Sequence, residues 1–304
     1  MISGAVVDAL KKFVPGENIR LQEPMAGHTT FRIGGPADCF VQIENEEQLK
    51  GVQHYLNLVG VPCFVLGNGS NLLVNDSGYR GIILQIGPKM SGIEVEGVRI
   101  VAKAGALLSR VAHVAMEHGL TGLEFASGIP GTVGGGVMMN AGAYDGEMSQ
   151  VVTLVRVISR DGETMELDRD TMEFGYRTST IRNNSFIVTE VTFELQRGDR
   201  DVIKAKMEEL MARRKEKQPL EYPSAGSTFK RPEGHFAGKL IADAGMRGYQ
   251  AGGARVSDKH CGFVINTGGA TAQDVRDVIN EIQERVKDKF RVYLEPEVVF
   301  LGWK

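Results

Sequence analysis

Cysteine is scarce in this 304-residue chain: Cys39, Cys63 and Cys261 are the only three, an odd number without CxxC spacing. That leaves no disulfide framework and no cysteine zinc site in prospect. Cys39 and Cys63 sit in apolar, strand-like runs and read as small buried hydrophobes, a pattern suited to a reducing compartment. The six histidines are scattered, and no pair has ligand spacing on a helix, so no metal site is expected. Charge of one sign is missing too. Lys+Arg 35 against Asp+Glu 38 gives a net charge of −3, and without a basic stripe nucleic acid is not expected as a partner. No apolar run approaches the ~18 residues that span a bilayer. Residues 1–20 carry only Val6, Val7, Leu10, Phe13 and Val14 as an apolar stripe, broken by Asp8, Lys11 and Lys12. They read as an amphipathic helix ended by Pro15-Gly16, not as a signal peptide. The expectation is a cytoplasmic protein away from membranes, with no protein partner indicated.

Glycine, by contrast, is abundant: 38 residues, about 12%, against a usual ~7%. It is clustered, which points to loops of close approach and not to low complexity. Around those clusters the apolar periodicity predicts strands at Cys39–Ile43, Cys63–Leu66 and Gly81–Ile86, with a helix at Glu46–Val59. Hairpins are predicted over Ile93–Ala104, turning at Glu96-Gly97, and over Val151–Leu167, turning at Asp161-Gly162. A helix Leu107–His118 ends at Gly119, and a long strand covers Ser185–Leu195. The charged helix Asp201–Lys217 reads as a linker, which puts the domain boundary near residue 197 (1–197 and 198–304). Beyond it come a polar loop (Pro223–Pro232), a helix near Ala237–Ala244, a strand Gly262–Asn266, an amphipathic helix Thr271–Lys289 and a closing strand Val292–Leu301. Helices and strands mix without strict βαβ alternation, so the class is α+β.

Two loops carry most of the chemistry. Gly67-Asn68-Gly69-Ser70-Asn71-Leu72-Leu73-Val74 follows a strand directly. Its glycines let backbone N–H groups approach an anion, and Asn and Ser add neutral donors, as a pyrophosphate requires. Gly128-Ile129-Pro130-Gly131-Thr132-Val133-Gly134-Gly135-Gly136 continues through Asn140-Ala141-Gly142-Ala143-Tyr144. It suits flat contact with a heterocycle. Neither loop matches GxGxxG or GxxxxGK[ST], which disfavours a Rossmann domain and a P-loop ATPase. Tight turns without a ligand are the plainer alternative for each loop taken alone.

The combination resembles the vanillyl-alcohol-oxidase type of FAD-binding domain. More narrowly, the chain resembles the UDP-N-acetylenolpyruvoylglucosamine reductase family. The matching stretches are Thr29-Thr30-Phe31-Arg32-Ile33-Gly34-Gly35, both loops, Gly175-Tyr176-Arg177-Thr178-Ser179, Ser224-Ala225-Gly226-Ser227-Thr228-Phe229-Lys230 and Leu294-Glu295-Pro296-Glu297-Val298. The resemblance implies an N-terminal FAD-binding domain, a smaller C-terminal α+β substrate domain, and the cofactors FAD and NADPH. The implied substrate is a UDP-sugar enolpyruvyl ether. Flavin contacts are implied at Gly67, Asn68, Gly69, Ser70 and Asn71, at Gly128, Ile129, Pro130, Gly131, Thr132 and Gly134, and at Asn140, Gly142 and Ala143.

By the same resemblance Arg177, Ser227 and Glu297 are the catalytic residues, and Tyr176 and Lys217 bind substrate. Arginine suits a carboxylate because its fork is bidentate and always charged; the plainer reading is a surface ion pair. Ser227 would deliver a proton, where spacing alone reads a turn former. Glu297, preferred over Glu295 only by its family position, would assist that step from the closing strand. Lys217 would meet the substrate pyrophosphate, although Arg213, Arg214, Lys215 and Lys217 also describe a solvated helix end. Longer family members carry a lid tyrosine after the Tyr-Arg motif. Only a few residues separate Ser179 from Ser185 here, so no lid tyrosine is assigned. Two other readings stay open: an FAD oxidase of the same fold, and a nucleotide-sugar-binding module without catalysis.

Overall fold

The computed structural model describes residues 2–303. The chain forms two compact units, one of Met1–Leu21, Cys39–Asn68 and Gly81–Arg214, the other of Gln22–Asp38, Gly69–Arg80 and Lys215–Lys304. Each has its own apolar core. The first core gathers Leu10, Val41, Leu49, Val111, Val155 and Phe193 with many others, and includes Ile203 and Met207. The second gathers Phe31, Ile33, Leu73, Phe229, Val264, Val275 and Ile282.

This division differs from a single cut near residue 197. The helix Arg200–Lys217 buries Ile203, Met207 and Leu210, and the first two join the first unit's core, so the helix is not a linker. Two early segments belong to the second unit because their partners come late in sequence: in Gln22–Asp38, Phe31 O accepts from Asn266 Nδ2 at 3.0 Å. Leu72–Val74 pairs in parallel with Val299–Leu301, and the Asp76 carboxylate accepts from Ala272 N at 2.8 Å and Gln273 N at 3.0 Å.

In the first unit, a five-stranded antiparallel sheet runs in the order Thr164–Asp168, Val152–Ile158, Ile187–Glu194, Arg99–Lys103, Ile93–Glu96. The strand Cys63–Leu66 lies parallel to its partner strand, with Cys63 opposite Ile82 and Leu66 opposite Gln85. Glu46–Val59 is helical to the residue predicted. Asn45 accepts from Gln48 N at 2.9 Å at its start, Gly60 ends it in the left-handed region at φ 65°, and Leu49, Val52 and Leu56 are buried at helical spacing. Cys39 is buried and Cys63 half-buried, and neither is in a disulfide among the described residues.

In the second unit, Gln250–Ala251, Ala254–Val256 and Val264–Asn266 form a three-stranded antiparallel sheet. The helix Ala272–Phe290 buries Val275, Val278, Ile279, Ile282 and Val286. A capping box starts it: Thr271 Oγ1 accepts from Asp274 N at 3.0 Å, and the Asp274 carboxylate accepts from Thr271 N at 3.0 Å.

Three expected elements change. The N-terminal helix is only Gly4–Leu10, ending short of Pro15-Gly16. The closing strand is only Val299–Leu301, because Pro296 has no N–H to continue a ladder. Inside the second glycine-rich loop, Val133–Met138 is helical, with the Thr132 hydroxyl accepting from Gly135 N at its start.

Candidate active site

In the first unit the two glycine-rich segments are tied to each other. Asn68 Nδ2 donates to Pro130 O at 2.6 Å, and a Cβ at Gly67 would fall 2.4 Å from Thr132 Oγ1. Glycine at 67 therefore lets the segments close on one another. Gly134 serves packing as well: its N–H donates to Ala104 O at 2.9 Å, and a Cβ there would lie 3.1 Å from that of Ala104. Gly128, Ile129 and Gly131 are half-buried and Pro130 is exposed. Gly131 O accepts from Leu108 N at 3.0 Å.

The continuation of this loop holds the arginine turn. Buried Asn140 donates through Nδ2 to Gly175 O at 3.1 Å and accepts from Ser149 N at 3.0 Å. Gly175 and Thr178 exchange backbone bonds of 3.1 and 3.3 Å, closing a turn with Tyr176 and Arg177 at its tip. Arg177 Nη2 reaches Gly142 O at 3.4 Å, and its guanidinium lies 5.2 Å from the Tyr176 ring centre. Arg177, Asn140, Tyr144 and Asp145 all have positive φ (57°, 40°, 51° and 68°). Non-glycine residues held there cost energy, and such strain collects at functional sites. Ala143, half-buried, begins the short hairpin of Gly142–Ala143 with Gly146–Glu147. From Ser179 the chain enters one short helix, Thr180–Asn184.

In the second unit, Ser227 and Glu297 are brought together. Glu297 N donates to Thr228 O at 2.9 Å and Lys230 N to Glu295 O at 2.9 Å, with Phe229 opposite Pro296 between them. Ser227 is exposed and its hydroxyl makes no hydrogen bond among the described residues. Glu297 thus lies in this pairing, ahead of the last strand, while Glu295 ion-pairs with Lys230. Asn71 is at the same place: its Nδ2 donates to Glu297 O at 3.0 Å and its carbonyl accepts from Val299 N at 3.0 Å.

Other expected residues are placed less decisively. Ser70 is half-buried and Lys217 is exposed. Gly69 has φ 61°, and a Cβ there would lie 2.0 Å from His28 O, so its first duty is a backbone–backbone approach. His260 Nδ1 accepts from Gly262 N at 3.1 Å, and burial pushes its pKa below the usual histidine value, which suits a packed neutral ring. Thr30 was overlooked as a structural hub: it holds Gly69 O through its N–H (3.1 Å) and Ser224 O through its hydroxyl (2.7 Å).

Comparison with known proteins bears on the whole chain. Residues 37–168 match an FAD binding domain, and residues 218–301 match the C-terminal domain of UDP-N-acetylenolpyruvoylglucosamine reductase. The reductase of that name from Caldanaerobacter subterraneus subsp. tengcongensis is 50% identical over 98% of this chain and 99% of its own length. The chain belongs to the UDP-N-acetylenolpyruvoylglucosamine reductase family. The reductase from Lachnoclostridium phytofermentans is 48% identical across 100% of this chain and 99% of its own. A crystal structure of the reductase from Thermus caldophilus superimposes with a TM-score of 0.80 at 35% identity, covering 93% of this chain and 98% of that one. Alkyldihydroxyacetonephosphate synthase shares the fold alone, at TM-score 0.51 and 15% identity, over 65% of this chain and 41% of that one. The α+β class, the FAD-binding domain and oxidoreductase chemistry stand with that membership. No helix among the described residues is long and apolar enough to cross a membrane, and no cluster of metal-binding side chains occurs among them.

The residues fit FAD. Two glycine-rich segments are tied by the Asn68 bond and close on one another where Gly67 meets Thr132, and backbone N–H groups of a glycine-rich turn such as the first are the donors a pyrophosphate takes.

Proposed function

We propose that this chain reduces the enolpyruvyl ether of UDP-N-acetylglucosamine to UDP-N-acetylmuramate with NADPH as reductant, in the cytoplasm. The observation that carries the residue assignment is the pairing of Thr228–Lys230 with Glu295–Glu297, which sets Ser227 beside Glu297. FAD, held by the glycine-rich loops, would supply the two-electron chemistry between NADPH and the substrate double bond.

The protein's own residues manage charge and protons. Arg177, held at positive φ by the turn on Asn140, binds the substrate carboxylate with its bidentate fork. It also offsets the negative charge that gathers next to that carboxylate when the outer carbon is reduced. Ser227 then gives its hydroxyl proton to the adjacent carbon. Ser227 is exposed, and among the described residues no hydrogen bond competes for the hydroxyl, so it can turn to the substrate. Glu297 stands next to the serine and assists proton delivery. Tyr176, more than half exposed, and Lys217 contact the UDP-sugar.

The test separates the two half-reactions. Ser227→Ala should keep FAD bound and leave its reduction by NADPH nearly normal, because a proton donor to the substrate has no task there. Reoxidation by the enolpyruvyl substrate should fall ~10²–10⁴-fold, the usual worth of a positioned acid. Anaerobic stopped-flow absorbance follows both. Equal slowing of the two halves, or of neither, removes Ser227 from this role.

A further inference from the structure

The helix Arg200–Lys217 ends in four cations that do not share one fate. Arg213 reaches back one turn to Glu209 at 2.5 Å. Lys215 and Lys217 are exposed. Arg214 is half-buried, and among the described residues its guanidinium has no hydrogen bond and no ion pair. The helix explains why: the positions three and four away, Leu210, Met211, Lys217 and Gln218, offer no carboxylate. Burial pushes the arginine's pKa down, and only Tyr144 acts in the opposite sense. A cation withdrawn from water without an anion is costly, and such a group marks a place where an anion arrives.

The side chain lies along Gly128, the first residue of the second glycine-rich loop. A Cβ at that position would fall 3.1 Å from Arg214 Cδ and 3.4 Å from Nη1, so the arginine packs directly on the glycine and a methyl there would press it aside by a few tenths of an ångström. Tyr144, the one residue that acts on the arginine electrostatically, continues the same loop at φ 51°. The phosphate-type donors belong to the other loop, Gly67 to Asn71. Arg214 therefore stands on the loop suited to a heterocycle.

We infer that Arg214 contacts the isoalloxazine of bound FAD and stabilises its two-electron-reduced, anionic form. The inference rests on the reading that FAD binds at these loops. Oxidised isoalloxazine is neutral and gains a negative charge on reduction, so a nearby guanidinium favours the reduced state selectively. A pyrophosphate contact would favour both states alike, since its charge does not change.

Arg214→Gln and Arg214→Lys decide it, each checked for folding by far-UV circular dichroism. The readouts are the affinity of the apoprotein for oxidised FAD and the midpoint potential measured against a reference dye. For Arg214→Gln, affinity for oxidised FAD should stay close to wild type. Affinity for the reduced form should fall about tenfold or more, equal to a drop of ~30 mV in a two-electron potential. Arg214→Lys should recover part of that drop. Gly128→Ala, whose methyl would press on Arg214 Cδ, should lower the potential in the same direction and serves if Arg214→Gln does not fold. Equal weakening in both redox states would place Arg214 on the pyrophosphate and overturn the inference. An unchanged potential in these variants would return Arg214 to a solvated helix end. Wild-type protein that binds no flavin would instead sink the underlying reading.

Discussion

Replacing Gly69 by alanine should damage the fold of the second unit, not merely the fit of a ligand. Two costs add. The first is conformational: Gly69 has φ 61°, and an L-residue there loses about 1–2 kcal/mol. The second is steric: the new Cβ would lie 2.0 Å from His28 O and 3.0 Å from His28 C and Thr29 Cα. These are backbone atoms held by Thr30 N donating to Gly69 O, so no side-chain rotation relieves the clash. About 1 Å of backbone must move, which costs roughly 1–3 kcal/mol by analogy with overpacking. Gly245 is the control in the same unit. Its φ is 76°, yet nothing lies within 4 Å of its would-be Cβ, so Gly245→Ala should cost only the conformational part, about 1–2 kcal/mol. The assay is thermal unfolding of the apoprotein, which keeps cofactor affinity out of the comparison. At ~2–4 °C per kcal/mol for a chain of this order, Gly69→Ala should melt roughly 2–12 °C below Gly245→Ala. Equal melting temperatures would refute the steric argument. They would leave close approach to a ligand as the reason for glycine at 69.

Asn68→Ala tests the cofactor loops more cleanly, since Asn68 is exposed and its one bond ties the two segments. Losing about 1 kcal/mol of preorganisation should weaken FAD binding roughly fivefold by fluorescence titration while leaving apoprotein melting unchanged. Arg177→Lys keeps the charge and loses the fork; substrate-driven reoxidation should slow at least ~10-fold with FAD retained, and an unchanged single-turnover rate would make Arg177 a surface residue. Asp274 sits below the usual aspartate pKa, chiefly because Thr271 N and also Gly253 N donate to it. A depressed carboxylate contributes stability that is complete above its unfolded pKa of ~3.9 and lost as pH falls through the lower folded value. Asp274→Ala should therefore cost about 1 kcal/mol at pH 7, the usual worth of a cap. Urea midpoints of mutant and wild type should converge toward pH 2, and a gap independent of pH would remove the carboxylate from the account.

Local signals were legible where cause and effect lie within a few residues. Glu46–Val59 could be bounded exactly because Asn45 starts it and Gly60 stops it, and both hairpins turned at their predicted glycines. The helix Val133–Met138 was hidden because three of its six residues are glycine, which propensity counts against a helix. Its reason is tertiary: a Cβ at Gly136 would meet Leu108 Cδ1 at 2.8 Å, so small residues let this turn pack. The unit boundary was illegible because Gly69–Arg80 finds its strand partner more than two hundred residues later, and no window contains both. Pro296 did carry the signal that the closing strand is interrupted. Arg214 carried one as well, in the missing carboxylates one turn to either side, but four cations within five residues concealed it.

The catalytic assignments came from family motifs, since spacing alone favoured a turn-forming Ser227 and left Glu295 and Glu297 equal. The structure adds a physical distinction between the two glutamates. Glu295 is exposed and spends its charge on Lys230. Glu297 is half-buried, with its N–H on Thr228 O and its carbonyl on Asn71. One glutamate is thus committed to a surface pair, while the other is fixed by its backbone next to the serine. Thr30 extends the same logic to a motif that had no assigned duty. By bonding Gly69 O and Ser224 O together, it holds the chain leading into Asn71 against the chain leading into Ser227. Asn71 in turn anchors Glu297. The Thr29–Gly35 motif, the 69–74 segment, the serine loop and the closing segment are therefore one hydrogen-bonded construction, which gives a mechanical reason for four distant motifs to occur together in one sequence.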